Sequence, residues 1–360
     1  MHTSHATPRT RFDNPDQLTA AEPPESRGLT RDGVRLLVAG ETGIIHGRFR
    51  DLPQFLDPGD LLVVNNSATV AAQLDARRRG VADAVLHAGT ELDDGTWVVE
   101  LRSAPDAAKP VLDAAPGEVI DLADNVSLTL LEPYPRQGSS PTGAGNRLWR
   151  ARVDESSLHR ALRHHGRPVA YGYLDRRYPL DDYQTVFGTR PGSAEIPSAG
   201  RPFTSYLVTR LVSSGVGIAA VTLHTGVSSQ DAGESPQPER FEVTPATARV
   251  VNATRAGGGR VVAVGTTVTR AVETAADPDG VVEPASGWTE RVISPQDPAR
   301  VVDGLVTGWH NPDASHLLLV ESVAGADLTQ RAYTAAYAEG YRWHEFGDSC
   351  LLLPERSRRS

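Results

Sequence analysis

The sequence predicts an α/β protein, a mixed sheet with covering helices, interrupted by a small antiparallel β unit of barrel or sandwich type. Three observations carry that expectation. Glycine-bounded apolar runs, Gly217–His224 and Arg260–Val264, alternate with helix-start signals in the second half of the chain. Asp60–Asn65 is a further apolar run, closed by Asn65 and Asn66, and reads as a buried strand ending in a polar loop. Between residues 67 and 154 the texture changes to short alternating segments such as Trp97–Leu101 and Val126–Leu131, punctuated by Gly, Pro and Asp turns.

In chain order, residues 1–11 are polar and expected to be mobile. The α/β unit is assigned to residues 12–66 and 155–360, and the inserted unit to residues 67–154. Val34–Val38, a Glu41-Thr42-Gly43 turn and Ile44–Phe49 form a hairpin. Within the inserted unit, Pro135–Asn146 is a Gly/Ser/Pro-rich loop. Four helices follow from their start signals. Thr244-Pro245 opens one that stops at Gly257–Gly259, Thr266 caps the next, Asp297-Pro298 opens a third, and Asp327 caps a fourth that ends at Gly340. Cys350–Leu353 closes the chain as an apolar strand.

Composition narrows the chemistry. Lys109 is the single lysine among 36 basic residues and sits in a Pro/Ala-rich loop, which disfavours a Schiff base. Cys350 stands alone, so an intrachain disulfide or a cysteine-cluster metal site is ruled out. The 11 histidines include no His-Glu-x-x-His spacing, and no metal is expected; His164-His165 reads as basic surface. A net charge of −9 argues against indiscriminate coating of nucleic acid, though a local basic groove is compatible with it. The clusters Arg77-Arg78-Arg79 and Arg176-Arg177 read as solvated surface or as phosphate contacts. No apolar run reaches membrane-span length and no signal core opens the chain, so a cytoplasmic location without membrane attachment is expected.

The strongest local unit is Arg260–Glu273. A buried strand runs through Gly265-Thr266-Thr267 into a helix, so backbone N–H groups and two hydroxyls meet at a helix N-terminus suited to a carboxylate or phosphate. Arg270 and Glu273 stand three apart on that helix, placed to pair or to grip a polar ligand together. An ordinary strand–helix connection with a surface ion pair is the other reading. His224 ends a strand, where ligands of open α/β sheets bind and an imidazole can exchange protons near neutral pH; a structural histidine is the alternative. Gly347-Asp348 places a carboxylate just before the last strand.

Taken in order, these pieces resemble the S-adenosylmethionine:tRNA ribosyltransferase-isomerase family of queuosine biosynthesis from about Phe12 onward. The residues that carry it are Asp51-Leu52-Pro53, Pro58–Asn65, Tyr183–Phe187, Pro197–Gly200 with Phe203-Thr204, Val221–His224 with Gly226, Gly258–Val261 through Thr267 with Arg270 and Glu273, Gly287–Thr289, Val302–Leu305, His310 with Pro312, Arg331–Tyr333 and Gly347-Asp348. Six family patterns are rewritten, among them Thr-Ala-Gly-Leu-His-Phe, which stands here as Ser198–Phe203. Asn-Asp-Thr-Arg stands here as Asn65-Asn66-Ser67-Ala68, Leu-Pro-Pro-Tyr as Pro168–Tyr171, Met-His-Ser-Glu as Gln237–Arg240, and Leu-Pro-Lys-Ser as Asn311–Ser315. The Gly-x-Gly-Thr-Phe pattern likewise becomes Gly226–Gln230.

The resemblance implies a monomeric α/β protein with an inserted β-barrel. It implies transfer and isomerisation of the ribosyl part of S-adenosylmethionine onto 7-aminomethyl-7-deazaguanine in tRNA, with adenine and methionine released. S-adenosylmethionine is then a substrate, tRNA a partner, and no cofactor or metal is required. His224 and Asp348 are the expected catalytic residues. Asn65, Gly226, Gly265, Thr266, Thr267, Arg270, Glu273 and His310 are the expected binding residues. Two other readings stay open: an S-adenosylmethionine-using enzyme with a non-tRNA acceptor, and a catalytically silent nucleotide- or tRNA-binding homologue.

Overall fold

The computed structural model describes residues 7–13, 16–136, 144–153, 155–227, 234, 236–312 and 316–355. Its main sheet has nine strands. Their order is Ala285–Thr289, Glu239–Val243, Gly217–His224, Leu61–Asn65, Val261–Val264, Gly304–Thr307, Ser349–Leu353, Arg35–Gly40 and Gly43–Arg48. The four strands from Gly217–His224 to Gly304–Thr307 run parallel, so their carboxyl ends open on one edge of the sheet. The predicted hairpin is present, with Arg35 opposite Arg48 and Gly40 opposite Gly43.

Leu61–Asn65 is buried along its whole length, as a central parallel strand covered on both faces must be. Its side chains alternate between two cores. Leu61 and Val63 join the cluster under the helices Pro245–Ala256, Thr266–Thr274, His316–Ala324 and Ala326–Ala338. Leu62 and Val64 face Phe49, Phe203, and Leu207 and Leu211 of the helix Ser205–Ser213. Each fully buried aliphatic side chain contributes about 1.5–3 kcal/mol, which gives this alternation its hold on the strand's register.

Six antiparallel strands between Gln73 and Arg152 close into a barrel, filled by Leu74, Leu86, Val99, Leu101, Leu128, Leu130 and Trp149. Closure settles the choice between barrel and sandwich and removes exposed sheet edges. Ser67–Thr69, grouped with the inserted unit by its sequence, instead pairs in parallel with Arg190–Ser193. Of the Pro135–Asn146 loop, residues 137–143 lie outside the described residues. Arg78 is buried against Glu118 and Asp113, Arg79 pairs with Asp121, and Arg77 lies 3.7 Å from Asp83.

Several local expectations need correction. Thr10, placed in a mobile segment, is buried, its amide and hydroxyl both donating to the Glu321 carboxylate at 2.6 and 2.7 Å. Thr244 does cap Pro245–Ala256, accepting from the Thr247 amide. Thr266 does not cap its helix: it is the first helical residue, and Gly265 holds the cap position at φ 100°. Gly325, at φ 77°, does the same for Ala326–Ala338 in place of Asp327. Asp297-Pro298 starts no helix, because the Asp297 carboxylate is taken by Arg291 and Arg300, each at 2.8 Å. The helix Ser205–Ser213 was not expected; Thr204 caps it, accepting from the Leu207 amide. His316–Ala324 carries no amphipathic pattern, since most of it is buried.

Candidate active site

A cavity of about 640 Å³ lies at the carboxyl edge of the parallel strands. The turns that follow three of them line it: Thr225–Val227, Gly265–Thr267 and Thr307–His310. The barrel closes the other side with Thr90, Val98, Arg102 and Leu148. The site therefore sits between the sheet and the barrel, at the strand ends where an open α/β sheet ordinarily places its ligand.

One part of the wall is built for an anion. Gly265 adopts φ 100°, a conformation that glycine tolerates without a Cβ penalty, and it brings no side chain to cap the Thr266–Thr274 helix. The first-turn amides therefore meet the cavity beside the Thr266 and Thr267 side chains. Arg270 follows one turn later, buried. Its guanidinium pairs with Glu239 and donates to the carbonyls of Gln237 at 2.9 Å and Thr289 at 3.3 Å, while its Nε finds no acceptor among the described residues. Burial pushes the Glu239 carboxyl up against the opposing pull of Arg270.

A second part is a group of imidazoles. His310 and His316 stack with centroids 4.6 Å apart. His310 Nε2 meets the Thr307 hydroxyl at 3.1 Å, and its backbone amide donates to Tyr333 at 3.4 Å. Burial, with His316 and His344 close by, holds His310 well below the usual imidazole range. Burial likewise pushes His316 down to about 4, with Arg270 adding to the effect, and His344 down to about 4. All three are neutral bases at physiological pH.

A third part is acidic and aromatic. Tyr171 donates its hydroxyl to Glu195 and Tyr173 donates to Glu345. The tyrosine rings stack 6.1 Å apart, and Tyr173 stacks on His344 at 4.9 Å. Burial raises both phenols well above their ordinary range, so each remains a hydrogen-bond donor.

The cavity gathers Gly226, Gly265, Thr266, Thr267, Arg270 and His310 from the residues expected to form the site. Four others are not part of its lining. His224 is held by the Ser67 hydroxyl at 2.8 Å, and a Cβ added at Gly192 would meet its ring at 2.4 Å. Burial and the neighbouring Arg190 and Arg240 lower its pKa, so it is a neutral, packed histidine. Asn65 uses its side chain as a backbone splint, donating to the Leu223 carbonyl at 2.8 Å and accepting from the amides of Ser67 at 3.0 Å and Leu223 at 3.1 Å. Asp348 accepts the amides of Arg35 at 2.7 Å and Arg342 at 2.8 Å, and burial raises its pKa. Glu273 does not pair with Arg270, which is taken by Glu239. It is buried, accepting the amides of Arg300, Val301 and Val302 at 2.8–2.9 Å.

Sequence reading missed Tyr171, Tyr173, Glu195, Glu239, His316, His344 and Glu345. Tyr171 and Glu239 fall within rewritten family patterns, and Glu195 lies two residues before the Pro197–Gly200 turn, so part of the signal was adjacent. The rewritten positions Ser228–Gln230 and Asp313–Ser315 lie outside the described residues. Of the His164-His165 surface pair, both rings lie against Asp124, at 3.4 and 2.9 Å. No helix among the described residues is long and apolar enough to cross a membrane.

A helix N-terminus, a buried arginine and neutral imidazoles converging on the carboxyl edge of a parallel sheet define an α/β enzyme with its site against an inserted barrel. The family model described as queuosine biosynthesis protein matches residues 8–352, and the chain belongs to this enzyme family. It is 38% identical to the S-adenosylmethionine:tRNA ribosyltransferase-isomerase of Acidiphilium cryptum, over 94% of this chain and 96% of the relative. The enzyme of that name from Symbiobacterium thermophilum is 37% identical, over 95% and 98% of the two chains. Among solved structures, the S-adenosylmethionine tRNA ribosyltransferase from Thermotoga maritima matches with a TM-score of 0.51 at 29% identity, covering 95% of this chain and 99% of that one. The resemblance read from the short collinear motifs therefore holds over the whole length.

Proposed function

We propose that the protein transfers and isomerises the ribosyl moiety of S-adenosylmethionine onto 7-aminomethyl-7-deazaguanine in tRNA, forming epoxyqueuosine and releasing adenine and methionine. The observation that carries this reading is the joining, in one cavity, of an anion-binding helix end and neutral imidazoles, in a chain that aligns end to end with enzymes of that name. The sulfonium of S-adenosylmethionine acidifies the neighbouring C5′ hydrogens, so the reaction needs a neutral base close by and a proton donor for departing adenine. His310, uncharged and bonded to Thr307, is suited to accept that proton. The Thr266 helix end with Arg270 suits the methionine carboxylate. S-adenosylmethionine is consumed as a substrate, and the scheme calls on no metal or separate cofactor. Asn65, His224, Glu273 and Asp348 act by holding the scaffold.

The test is adenine release, followed by chromatography, from purified protein and S-adenosylmethionine with and without tRNA bearing the deazaguanine precursor. Release that requires this tRNA supports the proposal. One observation favours an acceptor other than tRNA: each arginine of the longest run, Arg77, Arg78 and Arg79, is paired with an acidic residue, Arg78 in a buried position and the other two at the surface. Adenine release with a small acceptor alone supports that second reading.

A further inference from the structure

The acidic and aromatic wall of the cavity is not explained by S-adenosylmethionine chemistry. Arg102 lies 4.8 Å over the Tyr171 ring, Tyr171 stacks on Tyr173, and Tyr173 stacks on His344. Each tyrosine hydroxyl is spent on a carboxylate, Glu195 or Glu345, which fixes ring and acid together. His344 is held at φ 70°, a left-handed conformation that is unfavourable for a non-glycine residue and persists where the surroundings impose it. Glu195 and Glu345 line the cavity as half-buried acceptors beside this rigid aromatic ladder, a wall suited to a ligand rich in hydrogen-bond donors and preferably cationic.

Resting on the functional reading above, we infer that Tyr171, Tyr173, His344, Glu195 and Glu345 form the subsite for the acceptor base, recognised as a flat, donor-rich 7-deazaguanine carrying an aminomethyl group. A guanine-type edge presents N1–H and an exocyclic amine, both donors, and the aminomethyl group is a cation near neutral pH. Carboxylates, which only accept, match that set. Adenine sets an acceptor beside its amine and matches it poorly. Continuity with the other substrate follows from Glu195, which lies close enough to Glu239, the partner of Arg270, to help raise its carboxyl.

The probe is the free base 7-aminomethyl-7-deazaguanine, titrated calorimetrically into the full-length protein, with adenine as competitor. Glu195→Gln and Glu345→Gln are expected to weaken the base at least tenfold and to raise KM for precursor tRNA about as much, leaving the affinity for S-adenosylmethionine within twofold. Tyr173→Phe, which keeps the ring and frees Glu345, is expected to show a smaller loss of the same kind. The subsite is overturned if these variants lose S-adenosylmethionine instead, if base affinity is unchanged, or if adenine competes equally with the base on the wild-type protein. The last comparison needs no variant to fold. Wild-type protein that never releases adenine from S-adenosylmethionine overturns the functional reading itself; adenine release that survives with an unaltered tRNA KM in the variants overturns the subsite alone.

Discussion

The imidazoles of His310 and His316 lie parallel, 5° between planes and 4.6 Å between centroids. His316 Nδ1 is buried without a hydrogen-bond partner among the described residues, while His310 is tied through Nε2 to Thr307. Two stacked rings in this setting resist a second positive charge, which keeps both as bases rather than acids.

That resistance links stability to pH. The folded pKa of His316, about 4, lies below its ordinary 6.5, so between those values the unfolded chain binds the extra proton. The stability that neutral His316 represents is therefore complete above about pH 6.5 and lost progressively as pH falls toward 4. The expected loss from this residue by pH 4 is on the order of 3 kcal/mol. Glu239 and Glu345, with raised pKa values, act in the opposite sense as they protonate. Urea midpoints measured from pH 7.5 to 4.5 should fall less steeply for His316→Gln than for the wild-type protein.

His310 and His224 should separate cleanly in a turnover assay. His310 lines the cavity and His224 does not. His310→Ala is expected to lower kcat by about 100-fold, the scale of a lost general base. His224→Ala should keep kcat within about threefold while lowering the melting temperature, because it empties the space beside Ser67 and Gly192.

Arg270→Ala removes a cation and strands Glu239 in a buried position. About 3 kcal/mol of stability should be lost by denaturant titration, and affinity for S-adenosylmethionine should fall at least tenfold by calorimetry. Arg270→Lys should recover stability better than affinity, since an ammonium cannot reproduce the forked contacts to Glu239, Gln237 and Thr289.

Glu273→Gln tests a purely structural role. The carboxylate gathers three successive amides at Arg300–Val302, and the neutral amide side chain offers them a single weaker acceptor. A cost of about 2–4 kcal/mol is expected in urea unfolding, with affinity for S-adenosylmethionine unchanged in the folded protein.

Local signals were enough for much of this molecule. The hairpin at Glu41–Gly43, the buried runs at Asp60–Asn65 and Gly217–His224, and the Thr244-Pro245 helix start each depend on neighbours a few residues away, and each is present as read. The Gly265-Thr266-Thr267 turn also reached the cavity as expected, because strand-to-helix geometry alone points its amides outward. Side-chain partners were another matter. Spacing put Arg270 beside Glu273, yet Arg270 chose Glu239, thirty-one positions away, and Glu273 chose the amides at Arg300–Val302. His224 ended its strand as read, but the face on which it ended was set by Gly192 and Ser67 from a separate two-stranded sheet. Tyr171, Glu195, His316 and Glu345 come together only through packing of the barrel and the C-terminal helices against the sheet. A chain records its local periodicities residue by residue, while the low-dielectric pairing of buried charges depends on which distant segments the hydrophobic layers bring together.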